Sequence, residues 1–245
     1  MHFTPAVLST LSALPYLTNA CAGHLAARQA GAGASPLTLG DDPPAAQATL
    51  GYTINHFSLI ANDLDAMIAF YRDVLGLRQI FSYTASPTYT VAYLGYSHGG
   101  KNGTGYQTGE ELYAEKNNSE GLLELVHQNS TDRADGGTAP LFVPSTKVPN
   151  TFSHIGLIVP DVEAAQRRMK NHGVEIVKPV GEKVKWGTEG AVAFGFDEAH
   201  STVKDARAAL AGIEQIGFDY FLLIKDPDGN LIEVQQQETL VAGGV

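Results

Sequence analysis

The chain has 245 residues, 44% hydrophobic and 17% charged, with a formal net charge of −10. That length can bury a sizeable core, and the composition is that of a folded globular protein. An acidic chain without a basic run lacks the cationic surface that nucleic acid or an anionic membrane needs, so the expected partner is a small molecule, with no nucleic acid and no membrane.

Residues 1–22 contain no Lys, Arg, Asp or Glu. An apolar stretch from Ala6 to Leu17 leads into Ala20-Cys21-Ala22, a small-x-small cleavage pattern. Pro5 and Pro15 leave it too short and too broken to span a bilayer. We read 1–22 as a secretory signal cleaved after Ala22, despite its missing basic n-region, and expect a secreted protein. Cys21 is the only cysteine, so the cleaved chain would have neither a thiol nucleophile nor a thiolate metal ligand. Asn102, Asn117 and Asn129 begin Asn-x-Ser/Thr sequons in or beside polar sequence, as a secreted chain allows. Residues 23–51, rich in Ala, Gly and Pro, read as a flexible leader.

The folded domain is expected over 52–240, in two modules, 52–130 and 151–240. In the first, Ile54 to Ala61 reads as a strand with His56, Ser58 and Ile60 on one face and Phe57 and Leu59 on the other. Asp63 is placed to cap a helix that carries Met67, Phe70, Tyr71, Val74 and Leu75 and stops at Gly76. Two alternating runs, RQIFSY and YTVAYLGY, follow as strands. Ser97 to Gly121 reads as an exposed loop, and LLELVH as a strand centred on Glu124.

After a polar connector, 129–150, the pattern repeats. Phe152 to Val159 is a strand, Asp161 a cap, EAAQRRMKNHG a helix ending at Gly173, and GVEIVKPV a strand. An insertion from Glu182 to Gly217 contains a helical segment, VKDARAALAGIEQI. The final DYFLLIKDPDGNLIEVQQQ is a hairpin turning at Asp228-Gly229. Each module is β-α-β-β-β in outline, which makes the protein α+β.

The repeat carries chemistry. HFSLIANDLDAM starts at His56 and HIGLIVPDVEAA at His154, and each His is followed by Asp seven residues later. Late in each module a strand holds a central Glu, Glu124 in LLELV and Glu233 in LIEVQ. A single His or Glu on a strand is most simply a solvated side chain. Four in matching positions form the pattern of a metal site with two imidazoles and two carboxylates, a set that suits Zn²⁺, Ni²⁺, Co²⁺, Mn²⁺ or Fe²⁺. His98, His127, His172 and His200 read as structural or solvent-facing, and Trp186 as an anchor that packs the inserted helix.

HFSLIANDLDAMIAFYRDVLGL, LLELVH, SHIGLIVPDV and KDPDGNLIEV together resemble the glyoxalase I / vicinal oxygen chelate superfamily, over roughly Tyr52 to Glu238. The resemblance implies paired βαβββ modules forming a cupped mixed sheet around one divalent metal, held by His56, Glu124, His154 and Glu233. The His-Glu-His-Glu set resembles the nickel or cobalt type; the zinc type often has Gln first. The implied activity is that of a lactoylglutathione lyase. It converts a 2-oxoaldehyde–glutathione hemithioacetal to S-2-hydroxyacylglutathione through an enediolate, with Glu233 as principal base and Glu124 assisting. The sequence departs from the glutathione-using pattern at Ile60 and Asn150, where such relatives often carry Arg, and Lys178, Lys183 and Lys185 are the candidate replacements. The alternatives are another metalloenzyme of the superfamily, an epimerase, isomerase or dioxygenase, on a substrate without glutathione, and a non-catalytic secreted binder of metal or small ligands. The site allows a monomer or a homodimer.

Overall fold

The computed structural model describes residues 40, 43–44, 46–98, 105–128, 142–215 and 217–237. The expected signal, and the sequons at Asn102 and Asn129, lie outside them; Asn117 is exposed. Pro43–Gln237 form one compact unit, and of the second unit, Met1–Asp42 with Glu238–Val245, only Gly40 is described.

In the first module β1 (His56–Ala61) is followed by α1 (Leu64–Ala69), which widens into a π turn over Phe70–Val74. Asp63 Oδ1 accepts from the Ala66 amide at 3.0 Å, the expected cap. Gly76, at φ +84°, ends the turn in a conformation open to glycine. β2 (Arg78–Ser86) and β3 (Tyr89–Gly95) form a hairpin, and β4 (Leu122–Gln128) closes the sheet. The segment expected as loop contains α2 (Gly109–Glu115), held by a capping box in which Thr108 and Glu111 satisfy each other's backbone amides. Its signal, Thr-x-x-Glu before Leu-Tyr-Ala, was in the sequence and was outweighed by the surrounding glycines.

The second module repeats this with β5 (His154–Val159), α3 (Val162–Asn171), β6 (Ile176–Lys178), β7 (Leu222–Lys225) and β8 (Leu231–Gln236). Its insertion forms α4 (Glu189–Ala193), which the sequence pattern did not separate, and α5 (Val203–Glu214), which it did. Gly229 makes the β7–β8 turn at φ +95°, and a Cβ there would meet Pro144 Cγ at 3.0 Å. Among the described residues no helix is long and apolar enough to cross a membrane.

The sheets are ordered β1-β4-β3-β2 and β5-β8-β7-β6. In each, the first and last strands of the module pair in parallel, and the other neighbours are antiparallel. The inward faces share one core: Leu59, Leu125 and Leu94 from the first sheet, Leu222, Ile224, Ile232 and Val234 from the second, and Met67, Phe70 and Met169 from the helices. Polar contacts seal the junction. Arg168 donates to the carbonyls of Asp73 (2.7 Å) and Val74 (2.9 Å), and the Tyr71 hydroxyl donates to buried Asp226 at 3.1 Å. Burial pushes the Asp226 carboxyl above its ordinary range, against the pull of donors from Asn230 and Tyr71.

Lys178, a candidate for substrate contact, is engaged elsewhere. Its side chain is buried, and its ammonium donates to the carbonyls of Glu182 (2.9 Å), Asp219 (3.1 Å) and Phe221, tying the two ends of the insertion together. Burial lowers its pKa from 10.5 to about 8, with Glu214 the first of several carboxylates opposing the shift. Lys178→Met should strand those carbonyls and cost about 2–3 kcal/mol of unfolding free energy. Because the folded-state pKa lies below the unfolded one, the unfolded chain holds the extra proton between about pH 8 and 10.5. Stability contributed by this residue therefore rises with pH across that window. Urea melts of the parent and Lys178→Met proteins over the window should show the rise in the first and its loss in the second.

Candidate metal centre

The four ligand candidates meet as two pairs. Residues 56 and 124 lie far apart in sequence, but β1 and β4 are parallel neighbours, with Ser58 opposite Glu124. β5 and β8 repeat the register with Gly156 opposite Glu233. In both modules the Glu therefore stands diagonally from the His on the same sheet face. His56 Nε2 is 3.7 Å from Glu124 Oε2, and His154 Nε2 is 3.9 Å from Glu233 Oε2. Among the described residues, no group of three or more His, Cys, Asp or Glu is placed to hold a metal. The reason is geometric: each pair sits on the face opposite the leucines of the shared core, so both pairs are turned away from the junction.

Hydrogen bonds fix the tautomer of each imidazole. The Asn55 amide nitrogen donates to the carbonyls of Lys116 and Ser119, both at 2.7 Å, which leaves its Oδ1 facing His56 Nδ1 at 2.9 Å. The proton of that contact is on Nδ1. The Ser153 hydroxyl gives its one proton to the Ala193 carbonyl at 2.8 Å, so it accepts from His154 Nδ1, also at 2.8 Å. Each ring is left with its lone pair on Nε2, the nitrogen beside the carboxylate. This is the orientation a metal-ligating His takes when its second nitrogen is engaged.

In the neutral ring the Nε2 lone pair faces the carboxylate, and a cation held between the two would be bound by both. The gaps of 3.7 and 3.9 Å are too long for a direct hydrogen bond. With metal bonds of about 2.0–2.2 Å, a nitrogen and an oxygen on one ion stand about 3–4 Å apart. The donor set and its spacing fit a divalent metal.

The halves differ in what surrounds them. Opposite Glu124 on β3 is Tyr93, whose hydroxyl lies 3.3 Å from His56 Nε2. Burial, followed by the Glu124 charge and a hydrogen bond to Glu124, pushes the phenol up to about 12, so it remains a neutral donor. Opposite Glu233 is Leu223, fully buried, and Glu233 Oε1 accepts from Gln235 at 2.5 Å. The insertion packs over Leu223 and Leu231 on that face through Val184, Ala191, Leu210 and Phe218, so Glu233 is 7% exposed. On the Glu124 face α2 packs over Leu122 through Leu112, and Ile60, Tyr83 and Tyr89 remain exposed.

The remaining candidates fall outside both pairs. Asn150 is exposed and caps the chain locally, donating to Val148 and accepting from the Phe152 amide. Lys183 and Lys185 line a cleft of about 360 Å³ with Trp186, Arg207 and Glu214, formed by the insertion. His127 faces away from Glu124 and donates to the Ala61 carbonyl, and His200 pairs with Asp197. The sequence reading missed Asn55, Ser153 and Tyr93. The first two had a signal, a hydrogen-bonding residue immediately before the candidate His in both modules; Tyr93 had none without the strand register.

A family model described as Glyoxalase/Bleomycin resistance protein/Dioxygenase superfamily matches residues 53–234. The chain is similar to a lactoylglutathione lyase of Schizosaccharomyces pombe, 23% identical over 74% of this chain and 57% of that protein. It is also similar to a lactoylglutathione lyase of Haemophilus influenzae, 30% identical over 55% of this chain and 78% of that one. The chain thus aligns with little more than half of the fission-yeast relative's length. Among solved structures it is similar to glyoxalase I of Leishmania major (20% identity, 76% of this chain and 88% of that one, TM-score 0.42) and of Zea mays (18%, 76% and 44%, TM-score 0.43).

The tautomers are open to direct measurement. Long-range ¹⁵N–¹H spectra of the metal-free protein at mildly alkaline pH should show Nδ1–H imidazoles at both His56 and His154. Ser153→Ala should turn His154 into a mixture of tautomers and leave His56 unchanged.

Proposed function

The chain belongs to the glyoxalase/bleomycin resistance protein/dioxygenase superfamily, and within it we propose a metal-dependent lyase of the glyoxalase I type. One observation carries the reading: both modules present a tautomer-locked His Nε2 beside a carboxylate, at a spacing that a shared cation satisfies. The relatives named lactoylglutathione lyase support the activity.

In this reading His56, Glu124, His154 and Glu233 hold one divalent ion, of nickel, cobalt or zinc. The ion, when bound, polarises the oxygens of an α-hydroxy carbonyl unit and stabilises the enediolate left by loss of a C–H proton. Glu233 takes that proton and returns it to the neighbouring carbon, which converts the hemithioacetal to a thioester with no net redox change. The apolar cover that the insertion lays over its strand keeps water from the enediolate.

The two pairs face away from their common core, so we place the complete site between two copies, with the first pair of one chain meeting the second pair of the other. The exposed Ile60, Tyr83 and Tyr89 on the Glu124 face and Ile158 on the Glu233 face are the apolar surface such a contact would bury.

A second reading keeps the metal and the enediolate chemistry but replaces glutathione. Ile60 is apolar and exposed on the site face, and Lys178 is consumed by carbonyls, so neither supplies the cation that a glutathione carboxylate wants. It predicts turnover of a less charged hydroxy-carbonyl substrate by the same residues.

Turnover of the methylglyoxal–glutathione hemithioacetal by the 43–245 chain loaded with Ni²⁺, Co²⁺ or Zn²⁺ separates the readings. Metal-dependent turnover supports the lyase. A bound metal without turnover discards glutathione and favours the second reading. Glu233→Gln should lower kcat about 10²–10⁴-fold with the fold intact. Mixing unfolded and refolded His56→Ala/Glu124→Gln chains with His154→Ala/Glu233→Gln chains should restore about a quarter of parental activity. Half of the randomly paired dimers are then mixed, and each holds one intact site of two. No restoration would overturn the shared site.

A further inference from the structure

The two halves of the proposed centre are built alike in their imidazoles and differently around their carboxylates. Tyr93 stands directly across the β3–β4 ladder from Glu124, and its hydroxyl lies 3.3 Å from His56 Nε2. The His56 and Tyr93 rings meet edge-on at 5.2 Å. The phenol is held in place from behind. Phe81 stacks on it at 4.8 Å with the planes 13° apart, and Tyr113 of α2 packs edge-on against Phe81. In the other half the corresponding ladder partner of Glu233 is Leu223, which has no polar atom to offer. Glu233 instead meets the amide of Gln235, two residues along its own strand.

We infer that Tyr93 is a positioning residue that fixes Glu124 as a ligand of the centre, a role that no residue across the ladder plays for Glu233. This rests on the metal-binding reading above. The hydroxyl has one proton and two acceptors within reach, His56 Nε2 and Glu124. A cation on Nε2 occupies that lone pair, and Glu124 becomes the only acceptor left for the phenol. A carboxylate that receives a fixed hydrogen bond is oriented as a ligand. Glu233, facing Leu223 under an apolar cover, has no such anchor across the ladder and is met instead by Gln235 of its own strand. The difference in support between the two otherwise matching carboxylates is thus set by one phenol oxygen on β3.

Tyr93→Phe removes that oxygen and keeps the ring that stacks on Phe81. Co²⁺ titration of the metal-free protein, followed through the visible d–d bands, reads the centre without any turnover. The expected result is a Co²⁺ affinity about 10–100-fold weaker than in the parent, with altered band positions. The urea midpoint of the metal-free variant should match the parent's, which separates positioning from folding. Gln235→Ala, which removes the donor on the Glu233 side, should leave the Co²⁺ affinity within about threefold of the parent. Equal affinity and an unchanged spectrum in Tyr93→Phe would overturn the inference while leaving the metal reading intact. A parent protein that binds no Co²⁺ at all would overturn both.

Discussion

Parallel pairing of the first and last strands of each module is the constraint on which the site depends. In a β-α-β-β-β module the helix carries the chain from the first strand across the sheet to the second, and the antiparallel strands that follow step back until the last lies beside the first. Once β4 lies beside β1 and β8 beside β5, the register places a Glu diagonally from a His on the same face in both modules. Nothing in either strand by itself draws these side chains together. The ladder does, and it holds the imidazole lone pair against a carboxylate, an arrangement that favours a cation.

The same alternation that assembles the pairs also aims them. A strand that buries Leu59 or Ile232 in the common core must send His56 or Glu233 to the other side. Both modules obey this, so two half-sites face outward from one core. The Glu124 face, part-covered by α2 with Tyr83, Tyr89 and Ile60 left exposed, and the more fully covered Glu233 face differ because only the second module carries an insertion between β6 and β7. In the first module the equivalent connection is a tight turn at Pro87 and Thr88. The insertion is itself held by a buried cation, since the Lys178 ammonium gathers carbonyls from both of its ends.

Duplication supplied equivalent positions, and the neighbours made them unequal. The tautomer of each candidate His is fixed by the residue before it, but by different chemistry: Asn55 offers an amide oxygen held by two carbonyls, and Ser153 a hydroxyl spent on Ala193. Across the ladder, Tyr93 and Leu223 divide the carboxylates further.

Much of this was legible in the sequence. The period-two alternation around His56, Glu124, His154 and Glu233 located four strands, and Asp63 and Asp161 marked the helix starts where both carboxylates do cap. The duplication of the motif singled out the four residues, because local pattern and repeat agree wherever a module must rebuild the same strand. What the sequence alone could not decide is anything that depends on which strand lies beside which. The strand order, the diagonal His–Glu spacing and the pairing of Tyr93 with Glu124 are long-range ladder contacts with no local signature. Lys178 illustrates the limit: in the sequence it was a candidate substrate cation or a solvated surface lysine, and only the packed fold brought the carbonyls of Glu182, Asp219 and Phe221 to it. The sequence determined which residues could form the site, since side-chain chemistry and strand period are local. The tertiary structure decided that they form two outward halves, because the direction a strand face takes is set by the core on its other side.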